Sequence, residues 1–317
     1  MTNGYVHIPV MLEATIANLA IRPGGRYIDG TFGRGGHSRA ILERGGSVLG
    51  IDRDADAIAA GERMRAEFGG RLELVRGRHG DLGAIAGEKG WANADGVLLD
   101  LGVSSPQLDE PGRGFSFQHD GPLDMRMDCD GGETAADLVN CGDAAELERI
   151  FRDFGEERQA RRIAQAIVRR VAAGRRFERT LELADFVEQL IGRRSGRHPA
   201  TRVFQALRMA VNDEVGELAR ALEGALVSLK PGGRLAVITF ESITDRIVKR
   251  FFAAHVGRMV SLQQGGARWE GQSPAAVAVT HRALAADENE ISINPRSRSA
   301  KLRVIARKVE DHVQEEP

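Results

Sequence analysis

The chain has 317 residues, 42% of them apolar and 28% charged, with a formal net charge of −1. These values exclude a disordered, fibrous or disulfide-stapled chain and leave one large or two ordinary globular domains with ample length for a core. No apolar run approaches the ~18 residues of a membrane span and no signal-peptide pattern is present, so a cytoplasmic protein is expected, with Cys129 and Cys141 reduced and structural.

Apolar spacing predicts a helix over Met11–Leu19, a strand over Tyr27–Asp29, helices over Ser38–Glu43 and Ala55–Phe68, and strands over Ser47–Asp52, Leu72–Arg76 and Gly96–Leu101. Gly102 to Gly132, rich in Gly, Pro, Asp and Ser, reads as a loop-like lead-in to a helical stretch from Cys141 to Val215. Within it, Ile163, Ile167 and Val171 recur every fourth residue of a helix over Arg158–Ala172, followed by helices over Leu181–Ile191 and Thr201–Asn212. The α/β pattern then resumes with a helix over Glu217–Leu229 and strands over Arg234–Phe240 and Leu302–Lys308. Gly257–Asn294 lacks periodicity and reads as loop, and the acidic tail after Val309 is expected to fray.

Runs such as Val97-Leu98-Leu99 and Leu235-Ala236-Val237-Ile238 suit strands buried on both faces of a parallel sheet. The expected fold is α/β: a doubly wound, Rossmann-like sheet formed by 1–110 and 213–309, an all-helical domain inserted at 111–212, and a tail at 310–317.

The near-zero net charge conceals segregation. Residues 101–150 carry eleven acids against three Arg, and residues 151–210 carry fourteen Arg against seven acids. Arg158, Arg161, Arg162, Arg169, Arg170, Arg175 and Arg176 read either as a solvated helix face or as a grip on nucleic-acid phosphates.

One stretch carries most of the chemistry: Tyr27-Ile28-Asp29-Gly30-Thr31-Phe32-Gly33-Arg34-Gly35-Gly36-His37. A strand delivers a carboxylate to the sheet edge, and a loop nearly stripped of side chains then lets a ligand approach the backbone. Asp52 closes the next strand, where a carboxylate suits a ribose diol, each charge-assisted bond contributing about 1.5–3 kcal/mol. Lys230-Pro231-Gly232-Gly233 makes a tight turn before the fifth strand. A dinucleotide loop would continue to a third glycine, but Ser38 stands there, and Asp29 puts a negative charge where a pyrophosphate would lie. Both points favour S-adenosylmethionine, which carries an amino group and a sulfonium but no phosphate. Asp100 ends the fourth strand, within reach of cofactor or substrate, or else caps the next turn.

Together these segments resemble the ribosomal RNA small subunit methyltransferase H (MraW-type) family, from His7-Ile8-Pro9-Val10-Met11-Leu12 to Arg303. The most specific pieces are Asp29–His37, Leu99–Asp109, Gly112–Asp128, His198–Arg208 and Asn294-Pro295-Arg296. The resemblance implies a class I methyltransferase sheet with an inserted RNA-recognition domain. It also implies methylation of the exocyclic N4 of a cytidine in 16S ribosomal RNA near the decoding site. By matching positions it implies cofactor contacts at Gly35, Gly36, His37, Asp52, His79, Asp100 and Gln107; Asp29 and Gly33 join them from the loop pattern. His79 departs from the aromatic such as Phe usual in the family, and Glu241 stands where the family reads His.

On this reading 16S rRNA or the small ribosomal subunit is the partner, with no metal and no membrane, and oligomeric state carries no sequence signal. Asp100 is the candidate acceptor for the amino proton. Phe115 and Phe117 offer either a stacking platform for an unstacked base or, in the favoured alternative, packing of the inserted domain. The rivals are a methyltransferase with another nucleic acid or a protein amine as target, a non-catalytic rRNA-binding assembly factor, and a nicotinamide-dependent dehydrogenase.

Overall fold

A computed structural model describes residues 9–193, 196, 198–261, 266–270 and 275–309; the tail expected at 310–317 lies outside them. The chain divides into two compact units, 1–102 with 216–317, and 103–215. The breaks fall at 102/103 and 215/216, where the sequence pattern had suggested 110/111 and 212/213.

The first unit begins α1 (Leu12–Leu19), β1 (Arg26–Asp29), α2 (Gly36–Glu43), β2 (Ser47–Asp52), α3 (Ala55–Phe68), β3 (Leu72–Arg76), α4 (Leu82–Glu88) and β4 (Ala94–Asp100). Helix α3 is bounded as its chemistry requires: the Asp54 carboxylate accepts from the Asp56 N–H at 3.0 Å, and Gly69 ends it at φ 58°. Helix α4 and the 3₁₀ turn before it fall outside the expected elements, because seven residues span too few turns for a period to stand out.

The second unit holds α5 (Ser105–Asp109), α6 (Ala135–Cys141), α7 (Ala144–Asp153), α8 (Ala160–Ala172), α9 (Thr180–Ile191) and α10 (Thr201–Val211). Its core gathers Phe115, Leu147, Phe151, Ile163, Ile167, Phe177, Leu183 and Phe204. The Asn212 side chain ties the end of α10 to the 121–128 segment. It donates to the Met125 and Arg208 carbonyls at 2.8 Å each and accepts from the Met127 N–H at 2.9 Å. The two cysteines expected to be structural are both exposed and free.

The chain continues through α11 (Glu214–Ser228), β5 (Leu229–Thr239), α12 (Ser242–Val256), β6 (Arg258–Ser261), β7 (Ala267–Glu270), β8 (Ala276–Ala278), β9 (Leu284–Ala285), α13 (Glu288–Ile293) and β10 (Lys301–Arg307). Three expectations need correction here. The Lys230–Gly233 turn is absorbed into β5 through an irregularity opposite Ala94–Gly96. Helix α12 was legible in Ile243, Val248 and Phe252, all buried, yet fell outside the predicted elements. The 257–294 stretch is not all loop, since β8 and β9 pair with β10; strands of three and two residues are too short to show a period.

The main sheet runs β3-β2-β1-β4-β5-β10-β8, parallel from β3 to β5, with β10 antiparallel to both its neighbours. Alternate residues feed two cores: Leu49, Ile51, Val97, Leu99, Leu235 and Val237 on one face, Val48, Leu98, Ala236 and Ile238 on the other. Helices cover both, as a doubly wound sheet demands. Among the described residues no helix is long and apolar enough to cross a membrane.

On the first face α4 and α11 touch backbone to backbone: a Cβ on Gly83 would sit 2.9 Å from the Gly224 Cα, and one on Gly224 would sit 2.8 Å from the Gly83 nitrogen. Gly224→Val gains a few tenths of a kcal/mol in helix propensity but must push the helices apart, a cost of about 1–3 kcal/mol. The variant is expected to melt several degrees below the parent by calorimetry; an unchanged melting temperature would refute the close crossing.

Candidate functional site: carboxylates at the ends of parallel strands

The loop between β1 and α2 is held by what its glycines leave room for. Gly33 (φ 54°) and Gly35 (φ 73°) take left-handed backbone that other residues resist. The Phe32 ring fills a socket in which a Cβ on Gly35, Gly50 or Gly61 would approach it within 2.6–2.7 Å. Gly61 lies inside α3, where glycine costs about 1 kcal/mol against Ala, so its place there answers to the ring. Gly36 opens α2 against Pro9, whose Cγ a Cβ would meet at 2.2 Å.

Three carboxylates close the strands around this loop. Asp29, at the end of β1, is 1% exposed; its oxygens accept from the Ser38 hydroxyl at 2.7 Å and the Thr31 N–H at 3.2 Å. Burial pushes its pKa up to about 6 against those two donors. Asp29 therefore braces the loop from beneath, which corrects its expected place among the cofactor contacts: it has almost no surface to offer a ligand. Asp52, ending β2, accepts from the Gly33 N–H at 2.7 Å and the Asp54 N–H at 2.9 Å. Burial still raises its pKa, those bonds opposing. Both oxygens keep acceptor capacity beside the glycine loop.

Asp100, ending β4, differs. Its N–H donates to the Thr31 hydroxyl at 2.6 Å, which staples β4 to the residues after β1. Its side chain is 24% exposed, yet Oδ1 is buried with no hydrogen-bond partner, and Oδ2 lies 3.7 Å from the His37 Nδ1. Burial, then the charge of Asp29, pushes its pKa up to about 8. The His37 ring is buried, and its Nε2–H donates to the Val10 carbonyl at 3.1 Å, so in the neutral ring Nδ1 carries the lone pair facing Asp100.

His79 follows β3, whose end is fastened to β2 by the Gly77 N–H donating to the Asp52 carbonyl at 2.9 Å. Its Nε2 is buried without a partner. Burial, and secondarily the charges of Arg53 and Arg220, lower its pKa to about 4 against the opposing pull of Glu217, so the ring is neutral near pH 7. Gly33, Gly35, Gly36, His37, Asp52, His79 and Asp100 thus gather along one edge of the sheet. Gln107 belongs to the second unit, where it is buried and its Oε1 accepts from the Ser104 N–H at 2.9 Å. Sequence reasoning missed Thr31, Ser38 and Glu217; only Glu217 left a trace, an acid in register with Ala221 and Ala225 on the apolar stripe of α11.

The arginines of the second unit separate into two kinds. Arg158, Arg161, Arg162, Arg169, Arg175 and Arg176 are exposed. Arg170 is half-buried, paired with Glu182 at 2.6 Å and stacked 4.2 Å from the Phe177 ring, so its charge is spent within the unit; this corrects its expected role toward phosphate. Phe115 lies in the core at 7% exposure, in the packing role favoured over a stacking platform, and Phe117 is half-buried against His198 and Phe204. Among the described residues no group of three or more His, Cys, Asp or Glu is placed to hold a metal.

An antiparallel strand between β5 and β8 separates this sheet from the all-parallel dinucleotide fold, and strand-end carboxylates repel a pyrophosphate while they welcome a cationic nucleoside. An acceptor-rich edge, with Asp52 beside the glycine loop, fits the ribose, amino group and sulfonium of S-adenosylmethionine. Fold and site define an S-adenosylmethionine-dependent methyltransferase. The chain belongs to the MraW methylase family, whose model matches residues 4–308. It is 52% identical over 308 residues to ribosomal RNA small subunit methyltransferase H of Parvibaculum lavamentivorans, covering 95% of this chain and 89% of that protein. The protein of the same name from Paramagnetospirillum magneticum is 49% identical, covering 95% of each chain. Among solved structures, a putative methyltransferase of Streptococcus mutans in complex with SAH is similar at a TM-score of 0.43 and 11% identity, over 95% of this chain and 99% of that one.

The raised pKa of Asp100 has a consequence for stability. A carboxyl whose folded value lies above its unfolded one stabilises the native state fully below the unfolded value, and that contribution drains away as pH rises toward about 8. Asp100→Asn, fixed in the neutral form, is expected to melt above the ligand-free parent at pH 8.5, the gap closing toward pH 5. Parallel melting curves across that range would contradict the burial of this charge.

Proposed function

We propose that the protein transfers a methyl group from S-adenosylmethionine to the exocyclic N4 of a cytidine in the 16S ribosomal RNA of the small subunit, in the cytoplasm. The observation that carries this reading is the 49–52% identity, over nearly full length, to proteins named ribosomal RNA small subunit methyltransferase H. Bound at the sheet edge, S-adenosylmethionine supplies a methyl group already activated on a sulfonium. The proposed contacts are the Asp52 carboxylate with the ribose hydroxyls, the backbone of Gly33, Gly35 and Gly36, His37 and the 78–80 turn, with Gln107 carried over by the family pattern alone.

The protein's chemical task is the acceptor. The lone pair of a cytosine amino group is delocalised into the ring, and a carboxylate accepting one N–H localises it on nitrogen and takes the proton once the new bond has formed. Asp100 suits that task because Oδ1 has no competing donor and its pKa lies near neutrality. Asp100→Asn is expected to lower kcat by about 10²–10⁴-fold with cofactor affinity changed far less. A weakened cofactor affinity with kcat retained would assign Asp100 to the cofactor instead. The target is tested with methyl-labelled cofactor and either small subunits, free 16S rRNA, DNA or protein. Label recovered as N4-methylcytidine supports the reading, and label elsewhere overturns it.

The exposed arginines of the second unit are the proposed grip on RNA phosphates. Each phosphate neutralised contributes about −0.7 to −0.9 to the slope of log affinity against log salt. The double variant Arg161→Ala, Arg162→Ala is expected to flatten that slope by roughly two such increments in a filter-binding titration. An unchanged slope would leave those arginines as a solvated surface.

A further inference from the structure

Glu217 is the most deeply buried carboxylate of α11, at 1% exposure, and it reaches across to the turn after β3. Its Oε2 accepts from the Gly80 N–H at 2.9 Å, and its Oε1 accepts from the Arg78 guanidinium at 3.2 Å and the Arg220 guanidinium at 2.9 Å. Two residues on either side of His79 are thus fastened to one side chain, and a third ligand comes from the helix itself. The turn is shaped to that carboxylate: a Cβ on Gly80 would lie 2.5 Å from Oε2. Between the two fastened residues sits a neutral imidazole with a buried, unpartnered Nε2, and beside it the Gly77 N–H ties the same turn to the backbone of Asp52.

Burying a carboxylate costs several kcal/mol unless its lone pairs are filled, and here three donors, two of them cationic, fill them. Burial alone would raise its pKa, but the Gly80 N–H, His79, Arg78 and Arg220 together hold it below the usual range. This costly arrangement fastens the five-residue connection between β3 and α4.

We infer that Glu217 is a positioning residue for the donor's nucleoside: by clamping Arg78 and Gly80 it fixes the His79 imidazole as a hydrogen-bonding contact to the purine. This rests on the reading that S-adenosylmethionine occupies the sheet edge, with its ribose on Asp52. A neutral imidazole presents one donor and one acceptor nitrogen, which matches the polar edge of adenine in a way that a phenyl ring at the same position does not. Glu217 itself touches no reacting atom.

The test is affinity for S-adenosylhomocysteine by calorimetry for the parent, Glu217→Gln, His79→Ala and the double variant, with kcat at saturating cofactor. Glu217→Gln is expected to weaken binding about fivefold, the worth of one hydrogen bond between the neutral imidazole and the purine. His79→Ala should weaken it comparably, and the double variant should be no worse than the poorer single. In Glu217→Gln, kcat should stay within twofold of the parent, since the acceptor machinery is untouched. Gly80→Ala attacks the same contact from the other side and should give the same affinity loss should Glu217→Gln fold poorly. Parent-level binding by Glu217→Gln or Gly80→Ala beside a weakened His79→Ala overturns the clamp and leaves the cofactor site standing, as do losses that multiply in the double variant. Parent-level binding by His79→Ala overturns the placement of the nucleoside, and the clamp with it.

Discussion

Taking three carboxylates out of water at the ends of neighbouring strands is the constraint on which the first unit is organised. Each costs several kcal/mol to bury, and each is compensated differently. Asp29 is satisfied by a hydroxyl and a backbone amide, Asp52 by two backbone amides, and Asp100 keeps one oxygen with no donor at all. The order of satisfaction follows the order of function. The first is a foundation for the loop, the second holds loop and ligand together, and the third is left short of a partner for the reaction to supply.

That gradient also explains why the pKa values climb from β1 to β4 instead of settling in the usual carboxylate range. A pair of buried acids within electrostatic reach cannot both ionise cheaply in the ligand-free protein. A cationic ligand relieves both, so occupancy and ionisation are tied through one local field. The same field disfavours phosphate.

Much of the fold was legible because parallel strands buried on both faces leave unmistakable runs: Ser47–Asp52 and Leu72–Arg76 lie where their residues say. What escaped was short or set by partners distant in sequence. Strand β8 pairs along the edge that β10 offers, and β5 begins early because Leu229 pairs with Ala94 before residues 230–233 bulge out of the ladder. At the site, acids after apolar runs and glycines in a row announced Asp52, Asp100 and the loop. Thr31 and Ser38 were silent, since a hydroxyl that fastens a carboxylate looks like any other loop hydroxyl until the strands are assembled. Two residues read for RNA, Arg170 and Phe115, were claimed by the interior of the helical unit: composition reveals how many arginines and rings there are, and only packing reveals which are already engaged.

The Phe32 socket binds four distant positions into one choice. A ring at 32 crowds residues 35, 50 and 61, which come from a loop, a strand and a helix, and at 35 the left-handed backbone adds its own demand for glycine. A methyl group gained at 50 or 61 needs room from the side chain at 32, with Leu74 also giving way, whereas 35 is held to glycine by its left-handed backbone as well. Across descendants of this sequence these sites should therefore change in concert, with a smaller residue at 32 as the gateway through which 50 and 61 are first allowed to grow.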